Sequence, residues 1–217
     1  MTNDFETQFP SNPNEATLTW SEVWTAAITK PSVATYKEIL RDPGAKSRRG
    51  YTWLFIAWLI YTVVAVNVLF STVPDDLLVE LFPEATAGDI SQALLLNTVC
   101  LSPFVAGIFL GVFAVIVRVI HAIVHVQGKR EQQAGDVQRL TYAFAAFWAP
   151  LTLISVLLVM LPIPEIGLVV QAYQVILAVV AVRAVYDLET REAATSVLIT
   201  FGGLFLINLF LLGGMLS

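Results

Sequence analysis

Between residues 52 and 70 the chain reads TWLFIAWLIYTVVAVNVLF, nineteen residues without a charged side chain. A helix rises 1.5 Å per residue, so this run matches the roughly 30 Å of hydrocarbon in a bilayer. The rest of the composition is of the same kind. Of 217 residues, 57% are apolar and only 13% are charged, and the mean hydropathy is +0.73. A soluble domain carries about 45–50% apolar and about 25% charged residues, and one core of this size cannot hide the surplus from water. Lipid is therefore the solvent for much of the chain. The net charge of -5 argues against nucleic acid as a partner, since phosphate binding needs a concentrated basic face. Cys100 is the single cysteine, which excludes an internal disulfide and any multi-cysteine metal or redox motif.

Working outward from that run, the pattern predicts an all-α polytopic membrane protein. A cytoplasmic arm, residues 1–50, carries short amphipathic helices and precedes a membrane domain, residues 51–217, with five spans at about 52–70, 103–126, 140–161, 166–186 and 194–215. The apolar block from Ala93 to Val126 is too long for one crossing. Ser102 and Pro103 are expected to divide it, because proline disfavours helix in the residue before it, leaving an interfacial helix at about 90–101. Pro150 is expected to kink the third span. The acidic, Asn- and Pro-rich N-terminal residues show no cleavable signal peptide.

Charge orients the spans, since Lys and Arg favour cytoplasmic loops. Lys30, Lys37, Arg41, Lys46, Arg48 and Arg49 precede the first span, and Lys129, Arg130 and Arg139 lie between the second and third. The first outer loop holds Asp75, Asp76, Glu80, Glu84 and Asp89 with no basic residue. The N-terminus is thus expected in the cytoplasm and the C-terminus outside. Ahead of the membrane, WSEVWTAAIT (20–29) has amphipathic spacing with Ser21 as an expected N-cap, and Ser32 is placed to cap VATYKEILRD (33–42). Both pieces can lie in the headgroup layer or pack on the bundle.

Ionisable residues in hydrocarbon mark the candidate sites. In the second span Gly107, Gly111, Ala114, Arg118, His121 and His125 share one helical stripe. The small residues Gly107, Gly111 and Ala114 are candidate helix-packing positions, and the stripe is expected to face protein. Arg118, well inside that span, calls for an acid, with Asp187 and Glu192 first and Asp136 next; Arg183 competes for Asp187 through their four-residue spacing. With His121 and His125 they form a candidate inner-mouth polar cluster, either salt bridges that fix packing or a pocket for a headgroup, ion or proton. The histidine spacing suits a shared metal, but the segment lacks a hydrolase-type glutamate and Arg118 repels a cation, so no metal or other cofactor is expected. Asn67, Asn97, Gln171, Gln174 and Asn208 form an outer-half polar set, read as interhelical hydrogen bonds or as the lining of a path. No nucleophile with an adjacent base and no phosphate-cradling loop stands in the spans, and an enzyme is not expected.

The segment W-S-E-V-W (20–24) with K-P-S-V-A-T-Y (30–36), five apolar spans, and the inner loop GKREQQAGDVQRL (128–140) leading into TYAFAAFWAP (141–150) together resemble the Yip family of Ypt-interacting integral membrane proteins, over roughly 18–217. Eukaryotic relatives are associated with prenylated small GTPases and vesicle traffic between endoplasmic reticulum and Golgi; many prokaryotic members share only the membrane domain. The resemblance implies a prokaryotic-type, non-enzymatic protein that organises membrane partners or lipids. No long GTPase-binding extension is visible, so small-GTPase binding is not carried over. The expected partners are the bilayer, a second copy or other membrane proteins. The alternative is a small transporter or channel-like subunit with a polar path through the bundle.

Overall fold

The computed structural model describes residues 17–72, 87–127, 136–159 and 164–215. Among these residues there are seven helices and no strand: α1 (Trp20–Thr29), α2 (Val33–Ile39), α3 (Ser47–Ser71), α4 (Ala87–Gln127), α5 (Val137–Val159), α6 (Pro164–Tyr186) and α7 (Thr190–Met215). Four are long and apolar enough to cross a membrane, along Ser47–Val68, Thr98–Val126, Val137–Leu158 and Ile166–Tyr186. The fifth expected crossing lies in α7, whose side chains from residue 207 on fall outside the described residues. The expected acidic outer loop and the basic inner loop at 128–135 fall largely outside them too.

Local chemistry explains where these helices start and why one fails to stop. Thr19, rather than Ser21, caps α1. Its hydroxyl accepts from the Glu22 N–H at 3.3 Å, and the Glu22 carboxylate accepts from the Thr19 N–H at 2.7 Å, a reciprocal capping box. The bonds its carboxylate accepts from the Thr19 N–H and from the Thr19 hydroxyl hold the Glu22 carboxyl below its ordinary value. Ser32 caps α2 as expected, accepting from the Thr35 N–H at 3.1 Å. The expected break at Pro103 is absent, and α4 continues through it for 41 residues, about 62 Å. Pro103 has no N–H for the Val99 carbonyl four residues back, but the Ser102 hydroxyl donates to that carbonyl at 3.0 Å. The carbonyl is satisfied without leaving the helix, a repair typical of membrane helices.

Helix α5 forms the centre, packed by α3, α4, α6 and α1; α7 closes against α4 and α6, and α2 lies on α6. Leu140, Tyr142, Phe144, Phe147 and the alanines between them are fully buried, so α5 is enclosed on every side from Leu140 to Phe147. Helix α3 comes close to α5 at Gly50, where an added Cβ would stand 2.9 Å from Ala145 Cβ. Aromatic rings fill the layer above. Phe113 of α4 packs edge-on against Tyr51, Trp58 and Trp148, and Trp148 stacks with Phe201 of α7.

The N-terminal helices are part of this core. Val23, Ala27, Tyr36 and Ile39 are buried to 1% exposure or less. Trp20, Trp24 and Trp53 meet pairwise within 6.1 Å, while Tyr36 packs on Phe147, ten residues or about 15 Å into α5. The Tyr36 hydroxyl donates to the Ala27 carbonyl at 3.4 Å and the Tyr173 hydroxyl to the Ile28 carbonyl. Burial, with Tyr173 adding to it, pushes the Tyr36 phenol far above its ordinary value. Of the two placements open from sequence, packing on the bundle is the one observed.

Candidate functional site

The chemistry-bearing side chains concentrate at the end of the bundle that carries α1 and α2, called here the basic end. Arg48 and Arg49 open α3 and point in different directions. Arg49 turns inward, where its guanidinium donates to Asp42 at 2.9 Å, to the Leu18 carbonyl and to the Tyr142 hydroxyl at 3.4 Å, and lies 5.0 Å from the centre of the Trp53 ring. The Asp42 side chain is fully buried and also accepts from the Gly44 N–H at 2.9 Å. One cation thus joins the segment before α1, the segment after α2, α3 and α5. A Cβ at Gly44 would run into the Arg49 guanidinium, so the small residue there makes room for the charge.

A second cluster joins α4 to α6. His121 Nδ1 and the Tyr186 hydroxyl are hydrogen-bonded at 2.5 Å, and the His121 and His125 rings lie 4.2 Å apart, the latter 6.4 Å from Tyr186. Asp136 stands within electrostatic range of His121 and Tyr186, and its carboxylate accepts from the Gln138 N–H at 2.9 Å, opening α5. The remaining members of the inner-mouth set are held elsewhere. Asp187 pairs with Lys37 of α2 at 2.7 Å, with both side chains largely exposed. Glu192 accepts from the Glu189 N–H at 3.4 Å, ahead of α7. Arg183 is half-buried, and its Nε has no hydrogen-bond partner among the described residues. Arg118 is exposed and makes no ion pair among the described residues.

The stripe on α4 does not face the bundle as expected, apart from His121, which reaches Tyr186. Ala106, Phe113, Val117, Ile120 and Val124 form the buried face, while Gly107, Gly111, Arg118 and His125 are exposed and Ala114 is intermediate. At 100° per residue the two faces are about a third of a turn apart. An added Cβ at Gly107 or Gly111 meets nothing within 4 Å, so neither packs against another helix among the described residues. Phe113 lies beside Tyr51, near the start of the first span. Arg118, five residues or about 7.5 Å closer to the basic end, therefore sits near the level of Lys46 and Arg48.

In the outer half, the Asn67 amide donates to the Val63 carbonyl of its own helix at 2.6 Å. Gln171 is exposed and Gln174 half-buried. The side chains of Asn97 and Asn208 lie outside the described residues. Two open grooves mark the basic end. One, about 370 Å³, runs along the polar face of α1 past Ser21, Glu22, Thr25 and Lys30. The other, about 440 Å³, lies between α3 and α4. Neither reaches the glutamines. Sequence reasoning passed over Asp42, Arg49, Tyr142 and Tyr186; the tandem arginines before an aromatic-rich span were their one visible signal.

The family model described as the Yip1 domain matches residues 25–212. No curated protein and no solved structure matches the chain.

Proposed function

Because the chain belongs to the Yip1 domain family, we propose that it is a non-enzymatic membrane scaffold that organises lipids or protein partners around a closed helix bundle. The observation that supports this best is the enclosure of α5, which is buried on all sides from Leu140 to Phe147 among α3, α4, α6 and α1. A transporter needs a polar, water-accessible path through its spans. Aromatic and alanine side chains occupy that position here, and Gln171 faces outward. In this reading the protein crosses a prokaryotic plasma membrane five times, α7 included. The basic end with α1 and α2 faces the cytoplasm and the C-terminus lies outside, as the distribution of Lys and Arg favours.

Purification in native-lipid particles followed by mass spectrometry is expected to retain a protein or phospholipid companion in fixed ratio. Proteoliposomes are expected to release entrapped ions and small solutes no faster than protein-free vesicles. Release above that background, abolished by Gln174→Leu, would overturn the scaffold reading in favour of transport.

A further inference from the structure

We propose that the groove between α3 and α4 binds one anionic phospholipid, its phosphate on Arg48 and the start of an acyl chain on Phe55 and Leu110. The groove is an open depression of about 440 Å³ lined by Ser47, Arg48, Tyr51, Thr52, Phe55 and Leu110. Its lining changes along α3 from a hydroxyl and a guanidinium to an aromatic ring within two turns. That gradient fits an amphiphile standing at a membrane surface. The surface itself is set by Thr52, where the charge-free run begins; this step rests on the membrane placement proposed above.

Arg48 supplies the charge. Its neighbour Arg49 is committed to Asp42, Leu18 and Tyr142, whereas Arg48 is exposed and has no ion pair among the described residues. Among the described residues no acidic side chain lines the groove, which suits the guanidinium to a two-pronged bond with phosphate. The Thr52 hydroxyl already donates to the Arg48 carbonyl at 3.0 Å, which leaves Ser47 and the Tyr51 phenol as the neighbouring hydroxyl donors. Below them Phe55 and Leu110 offer hydrocarbon contact that a free phosphate cannot use. Basic residues just ahead of a span also draw anionic lipid electrostatically, and Lys46 adds to that field.

The test uses the full chain, delipidated in mild detergent, offered phosphatidylglycerol, phosphatidylcholine or inorganic phosphate, and read by native mass spectrometry. One phosphatidylglycerol per chain is expected to be retained, phosphatidylcholine about tenfold less, and inorganic phosphate to displace neither. Arg48→Gln should weaken retention about tenfold. Leu110→Trp, which fills the apolar half, should weaken it comparably. Arg118→Gln, outside the groove, should leave it unchanged. Undiminished retention in Arg48→Gln, equal loss in Arg118→Gln, or displacement by inorganic phosphate would each overturn the site. Partner capture and solute flux are separate readouts, so failure here leaves the scaffold reading standing, and failure of that reading leaves this binding measurement intact.

Discussion

At Gly50 a missing side chain decides how closely two helices approach. A Cβ there meets Ala145 Cβ at 2.9 Å, and a Cβ fixed to its own backbone cannot yield as a flexible side-chain tip can. Gly50→Val is expected to destabilise the protein by about 1–3 kcal/mol, the usual cost of overpacking, and to lower the detergent melting temperature by several degrees. Gly107→Val and Gly111→Val, pointing into open space, should stay within about 0.5 kcal/mol of the parent. Equal losses at all three would show that intramolecular contact is not what distinguishes them. Gly50 is hard to find by reading, because it stands among Arg48, Arg49 and Tyr51 with no periodic partner. The stripe through Gly107 stands out by its spacing, yet a run of Gly, Val, Ile and Phe suits lipid and protein neighbours alike. Hydrophobicity along α4 therefore reveals that it crosses the membrane, but not which face touches the bundle.

At the scale of elements, the α1–α2 hairpin is held by a buried ion pair at its base and an exposed one on its return. Arg49→Ala strands the buried Asp42 carboxylate and is expected to cost about 3–5 kcal/mol. Adding Asp42→Ala should recover part of that loss. Lys37→Ala removes a pair whose side chains are 41% and 60% exposed and should cost at most about 1 kcal/mol. Maleimide labelling of Ala27→Cys in a Cys100→Ser background reads the hairpin directly, since Ala27 is fully buried when it is docked. Faster labelling is expected in Arg49→Ala; parent-like rates there would exclude the ion pair as the fastening. Of the two short helices α2 is legible from its cap, Ser32, because capping is local chemistry, and α1 from its amphipathic spacing, although Thr19 rather than Ser21 caps it. Their docking is not, because it depends on Tyr36 meeting Phe147 over a hundred residues away. Continuity through Pro103 escaped for a related reason. The proline rule is strong, and its local exception rests on the rotamer of a single hydroxyl, that of Ser102.

For the whole molecule, hydropathy and loop charge act over some twenty residues at a time, so membrane class and the crossings of α3, α4, α5 and α6 are readable without coordinates. Five crossings require chain ends on opposite sides. With Cys100→Ser as background, thiols introduced by Asn3→Cys and Leu216→Cys should react from opposite faces of sealed vesicles. Reaction from one face would mean an even number. The inner-mouth set is split because pairing by charge and spacing on single helices could not show that Lys37 of α2 lies close enough to take Asp187, while His121 and His125 stay together beside Tyr186. One further consequence belongs to α4. A rod of about 62 Å is twice as long as the hydrocarbon is thick. Tilting it by about 5° swings one tip by about 5 Å relative to the other. A push on the histidine-bearing end would be felt as sideways travel on the far side of the membrane, with no moving joint required between them.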